Sequence, residues 1–194
     1  MIVAVATTNP GKLRELAALL GPRLELRPAP PEYRPVEERG GSYLENARLK
    51  ARALHQLVRG PALADDSGLE VDALGGRPGV ESARYGDSAE ERNRRLLDEL
   101  RGRRGAERRA RFRTALVLVL GGGREAHGEG ACEGRIAEAP YGGGGFGYDP
   151  IFLVPDLGRT FAELSSEEKN RRSARSLAAR ALLAEIDREL GRRG

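Results

Sequence analysis

The chain has 194 residues, 39% apolar and 32% charged, with five Tyr, four Phe and no Trp, which suits one globular domain or two closely joined lobes. No stretch reaches the roughly 18–20 uncharged apolar residues of a spanning helix, and a net charge of +4 from 33 basic and 29 acidic residues is mild for a dedicated nucleic-acid binder, so neither a membrane nor a stable nucleic-acid partner is expected. A single Cys132 beside His55 and His127 makes neither an internal disulfide nor a Cys/His zinc set, so any metal is expected to be oxygen-ligated.

Met1 to Ala6 carries no basic leader or cleavage pattern, which points to the cytoplasm. Ile2 to Ala6 reads as a strand, Thr7-Thr8-Asn9-Pro10-Gly11-Lys12 as a loop, and Leu13, Leu16, Ala17 and Leu20 as one face of a helix. Asn9 is the predicted N-cap and Pro10 the first helical residue. Free amides at such a helix start attract phosphate, although an ordinary capped helix with a solvated Lys12 accounts for the same residues. Leu24 to Arg27 is a second strand, followed by a Pro-rich connection from Pro28 to Pro35.

Ser42 and Glu45 form a predicted capping box ahead of a helix striped by Leu44, Ala47, Ala51, Leu54 and Val58. A strand from Pro61 to Ala64 then delivers Asp65-Asp66-Ser67-Gly68, adjacent carboxylates before a small-residue turn, a set suited to Mg²⁺ or to a plain turn. Successive strand-end residues point to opposite sides, so one Asp alone is expected to face a cleft. Glu37 and Glu38, ahead of Gly40-Gly41, are candidates for a further ligand.

Ser88 opens another capped helix with Leu96, Leu97 and Leu100 inward, and Arg101 to Arg113 is the densest basic run. Phe112 to Leu120, Gly121-Gly122-Gly123 and Glu125 to Glu138 read as strand, hairpin turn and strand. Gly142 to Gly147 formally matches Gly-x-Gly-x-x-Gly, but Tyr148-Asp149-Pro150 follows and no helix opens, so it is no dinucleotide fingerprint. Phe146-Gly147-Tyr148-Asp149 offers aromatics for stacking on a base. One helix is predicted from about Ser166 to Leu190. Only Lys12, Lys50 and Lys169 break an otherwise arginine basic set, and two of these fall in candidate ligand segments, where a compact ammonium fits crowded phosphates. The class is α/β, with an antiparallel pair in the second half that argues against a purely parallel sheet.

Together these segments resemble the inosine triphosphate pyrophosphatase family. The likeness runs through Ala6-Thr7-Thr8-Asn9-Pro10-Gly11-Lys12, Ser42-Tyr43-Leu44-Glu45-Asn46-Ala47 with Lys50-Ala51, Ala64-Asp65-Asp66-Ser67-Gly68-Leu69, Gly75 to Tyr85, Gly145 to Phe152 and Glu168-Lys169-Asn170. It implies a single domain over residues 1–194, a two-lobed fold with a long mixed β-sheet flanked by helices and a central nucleotide cleft, and a homodimer. It also implies Mg²⁺-dependent hydrolysis of ITP, dITP and XTP to the monophosphate and pyrophosphate.

By motif matching, Thr7, Thr8, Asn9, Pro10, Gly11 and Lys12 would hold the triphosphate, and Ser67 would contact substrate. Phe146, Gly147, Tyr148 and Asp149 would frame the base, with Lys169, Ala174 and Arg175 completing the pocket. Asp66 would be general base and metal ligand, with Glu37 the second metal carboxylate and Glu38 its near alternative. The chain departs from the family pattern at Ala174, where a His usually stands between Ser and Arg. That departure keeps a broader or pyrimidine-directed pyrophosphatase open as an alternative, and Arg101 to Arg113 keeps open a nucleic-acid-binding module.

Overall fold

The computed structural model describes residues 1–191, so the last three residues of the expected 1–194 domain lie outside the described residues. The chain forms two compact units, the first from Met1–Asp66, Thr114–Gly130 and Ala174 onward, the second from Ser67–Arg113 and Ala131–Ser173.

In the first unit, β1 (Ile2–Val5) leads into α1 (Pro10–Leu20), and β2 (Glu25–Pro28) precedes α2 (Tyr43–Val58) and β3 (Ala62–Val71). Strand β1 is parallel to both neighbours, with Ile2 opposite Glu25 and Ala4 opposite Ala62. The local signals for α1 act as predicted: Asn9 Oδ1 accepts from the amides of Gly11 at 2.8 Å and Lys12 at 3.2 Å, and Pro10 fills the first helical position. Capping of α2 differs slightly from a reciprocal box. Ser42 Oγ accepts the Glu45 amide, but Glu45 accepts from Gly41, one residue before the cap.

Strands β5 (Arg109–Gly121) and β6 (Arg124–Ile136) are joined by Gly122 and Gly123, at φ 61° and 76°, the paired left-handed conformations of a type I′ hairpin. The core of this unit gathers Val3 and Val5, Leu16 and Leu20, Leu63, Leu116 and Leu118 with Ala178, Leu182 and Ile186 of the last helix.

In the second unit, β4 (Pro78–Gly79) pairs antiparallel with the end of β3, and β7 (Phe152–Val154) and β8 (Arg159–Thr160) continue antiparallel from β6. Helix α3 (Ala89–Glu99), capped by Ser88, buries Asn93 and Leu96. Phe112, Phe152 and Phe161 cluster with ring centroids 4.6–5.9 Å apart. The sheet order is β2-β1-β3-β5-β6-β7-β8 with β4 on β3, so the mixed α/β reading holds.

Two expectations are corrected. Asp65-Asp66-Ser67-Gly68 is no turn but lies inside β3, because Leu69 and Glu70 go on to pair with Gly79 and Pro78 and the ladder overrides the local turn preference. The single helix from Ser166 to Leu190 is two, α4 (Ser166–Asn170) and α5 (Ala174–Gly191). The break follows from the Lys169 carbonyl, which accepts from both Arg172 and Ser173 at 3.1 and 2.9 Å and closes a tight turn without Gly or Pro to announce it.

Candidate functional site

Asp65 and Asp66 are consecutive on β3, so their side chains leave opposite faces of the sheet. Each meets a different set of charges. Asp65 is fully buried between two cations, forming an ion pair with Lys12 through Oδ1 and accepting from Arg175 Nε through Oδ2 at 2.8 Å. Arg175 also pairs with Glu15 of α1. Burial alone would raise the Asp65 pKa, but the charges of Arg175 and Lys12 outweigh it and hold the carboxyl well below the usual range.

Asp66 sits in the reverse arrangement, one ammonium shared by two carboxylates. Lys50 Nζ lies 2.6 Å from Asp66 and 3.0 Å from Glu38, and Asn46 Nδ2 reaches Asp66 at 3.4 Å. Burial pushes Asp66 up, against the pull of Lys50, with Glu38 adding to the rise. The two neighbouring carboxylates thus meet opposite environments, Asp65 held ionised between two cations and Asp66 balanced between its burial and the Lys50 ammonium. The helical rise places Asn46 and Lys50 one turn apart on the buried face of α2, and Asn46 Oδ1 in turn accepts the Gly40 amide at 2.8 Å, fixing the loop that carries Glu38.

Of the expected metal carboxylates, Glu37 is exposed and pairs with Arg39 at 2.6 Å, while Glu38 is the one beside Asp66. Glu45 is taken by the Gly41 amide. Among the described residues no group of three or more His, Cys, Asp or Glu is arranged to hold a metal. Two carboxylates remain, which matches a hard cation that takes its other ligands from water and substrate oxygens. Thr7 Oγ1 accepts the Asn9 amide at 3.1 Å, Gly11 is buried, and Thr8 and Pro10 are exposed.

The second unit holds the aromatic group. Ser67 is half-buried, and the loop Phe146 to Asp149 is pinned at several points. Asp149 Oδ2 accepts the Phe146 amide at 2.8 Å and Lys169 Nζ at 2.6 Å. Lys169 also stands 4.7 Å above the Phe146 ring. Tyr148 is buried and donates to the Ser82 carbonyl at 2.9 Å, which leaves Phe146 as the partly exposed aromatic of the pair. Ala174, at the start of α5, is buried and offers no polar group.

All three lysines pair with aspartates: Lys12 with Asp65, Lys50 with Asp66, Lys169 with Asp149. Lys50, Asn46 and Glu15 were not among the expected site residues. The rarity of lysine already marked Lys50, and its spacing of four from Asn46 on a capped helix was the missed signal. Four arginines of the basic run from Arg101 to Arg113 are engaged within the protein: Arg108 donates to the carbonyls of Leu100, Ile136 and Ala137, Arg101 pairs with Asp98, Arg103 with Glu107, and Arg111 with Asp72.

The Ham1 family matches residues 3–185. A dITP/XTP pyrophosphatase of Thermus thermophilus is 53% identical over 94% of this chain and 90% of its own, and one of Geobacillus kaustophilus is 47% identical over 99% and 97%. Among solved structures, the Staphylococcus aureus Ham1 protein superposes with a TM-score of 0.85 at 36% identity, covering 97% of this chain and all of that one. A nucleoside-triphosphatase, dITP/XTP pyrophosphatase, of Mycobacterium abscessus gives 0.73 at 44% identity, covering 95% and 98%.

Proposed function

The chain belongs to the Ham1 family, and from that premise we propose how its residues carry out the hydrolysis of non-canonical purine nucleoside triphosphates, dITP, ITP and XTP, to the monophosphate and pyrophosphate. The single observation that carries the reading is the divided pair on β3, with Asp65 locked between Lys12 and Arg175 and Asp66 beside Lys50 and Glu38.

Asp66 and Glu38 would hold Mg²⁺, which supplies charge neutralisation of phosphate oxygens and acidification of water when bound. Glu38 takes the place expected of Glu37, whose carboxylate is spent on Arg39. Asp66 would accept the proton of the attacking water, its carboxylate held in place by Lys50 and Asn46. Lys12 and the positive end of the α1 dipole would take up the negative charge of the departing pyrophosphate. Arg175 acts by holding Asp65 ionised and so fixing Lys12, rather than by reading the base. Phe146 stacks on the base, and Lys169, oriented by Asp149, donates to an oxygen at the purine 6-position. Such a donor disfavours adenine, whose 6-amino group would face it.

The test is pyrophosphate release from ITP, XTP, dITP, GTP, ATP and dUTP side by side with Mg²⁺, and again after chelation. Preference for ITP, dITP and XTP is expected, lost with the metal. A preference for dUTP would replace the purine reading with a pyrimidine one, the alternative that Ala174 keeps open. We further propose a cytoplasmic homodimer that binds neither membrane nor nucleic acid stably; among the described residues no helix is long and apolar enough to cross a membrane.

A further inference from the structure

Helix α3 turns a face of Asn93, Leu96 and Leu100 inward, and the first of these is an anomaly. Asn93 is 6% exposed, a poor helix former at a position where a Leu would add apolar burial. Its Nδ2 donates to the carbonyl of Gly147 at 3.1 Å, while its Oδ1 is buried and makes no hydrogen bond. A buried acceptor without a partner is destabilising. The stability of the fold therefore does not explain this residue, whereas the bond to Gly147 does.

Gly147 has φ 65°, and its carbonyl belongs to the peptide that joins it to Tyr148, so holding that carbonyl fixes the middle of the turn whose two ends, Phe146 and Asp149, are bonded to each other. Along the rest of this loop, Gly142 to Gly147 and α3 line an open cleft of about 580 Å³ whose helix side is Ala89, Glu90, Asn93, Arg94, Leu97 and Asp98. The loop thus has little apolar packing against α3, and the Asn93 amide is a polar tie across the gap.

We infer that Asn93 is a positioning residue for purine selectivity: its side-chain amide fixes the Gly147 carbonyl and thereby aims Phe146 at the base. The inference rests on the base-binding role proposed above for Phe146. Because the base is remote from the reacting phosphorus, this aim contributes to binding equally in the ground and transition states, so its loss appears in KM and not in kcat.

The experiment compares wild type with Asn93→Leu and Asn93→Asp, each similar in size and lacking the N–H donor, on dITP and dGTP with Mg²⁺. Both variants are expected to raise KM for dITP about tenfold with kcat within twofold, and to narrow the dITP-over-dGTP preference. Asn93→Leu should melt at or above the wild-type temperature. An unchanged KM and selectivity in either folded variant, or a fall in kcat that tracks lost melting temperature, overturns the positioning role. Failure of the wild type to hydrolyse dITP would instead overturn the substrate reading beneath it.

Discussion

At the scale of single residues, the neighbours Asp65 and Asp66 respond to pH in opposite ways. The folded-state pKa of Asp65 is depressed by Arg175 and Lys12, so its ionised form contributes stability that is present above the unfolded value near pH 4 and lost as pH falls through the folded value. Asp65→Asn removes the carboxylate held between Lys12 and Arg175, leaving the buried guanidinium to Glu15, and should lose about 2–3 kcal/mol at pH 7. Denaturant unfolding from pH 7 to pH 3 should show the gap to wild type narrowing below about pH 4. The folded pKa of Asp66 is raised, so its contribution is present below the unfolded value and lost as pH rises through the folded one. Asp66→Asn also takes the nearer carboxylate from the buried Lys50 ammonium, which keeps Glu38, so the variant should stay folded with a somewhat lower melting temperature while turnover falls at least about 10²-fold. Near-normal turnover in that variant would remove the general-base role. Glu38→Gln should weaken Mg²⁺ activation and Glu37→Gln should not, a contrast read from the Mg²⁺ concentration giving half-maximal rate.

At the scale of elements, strand β6 shows why its small residues are where they are. A Cβ on Gly128 would lie 2.2 Å from the Ala178 carbonyl oxygen, and one on Gly130 would lie 2.3 Å from that of Ala174. Helix α5 thus packs backbone to backbone against the strand, and Arg175 rides on its first turn. Gly130→Ala should destabilise by about 1–3 kcal/mol through overpacking. It should also lower activity more than that loss explains, because α5 carries Arg175 and Arg175 holds Asp65. Unfolding and kcat/KM measured together check this, and a stability loss with full activity would separate α5 placement from the site. The strand's own burial alternates, with Ala126, Gly128, Cys132, Gly134 and Ile136 inward, so its period was visible from sequence. Its close approach to a helix 44 to 50 positions later, Gly130 to Ala174 and Gly128 to Ala178, was not.

At the scale of the whole molecule, the charge excess of +4 raises the question of a nucleic-acid surface. Arg108 serves backbone carbonyls from within the fold, and Arg101, Arg103 and Arg111 each have an acidic partner, so these four are engaged within the protein and not presented as a free array to displace counterions from a phosphate backbone. Replacing Arg103 and Arg104 with Glu should leave dITP turnover within twofold. Tight, salt-sensitive binding of duplex DNA by the wild type would restore the competing reading.

The sequence alone determined the first helices and the long strands, the caps at Asn9, Ser42 and Ser88, the mixed sheet and the family, because these rest on local periodicity, side-chain-to-backbone bonds and ordered motifs, whereas the short strands β4, β7 and β8 and the break between α4 and α5 carried no such signal. It also placed Asp66, Lys12, Phe146 and Lys169 among the candidates. Only the tertiary structure decided which charge meets which: that Glu38 rather than Glu37 stands beside Asp66, that Lys50 lies between them, that Arg175 grips Asp65, and that Asn93 reaches Gly147. Those pairings join residues 12 to 110 positions apart. Their energy depends on distance and burial, which a linear order of residues does not contain.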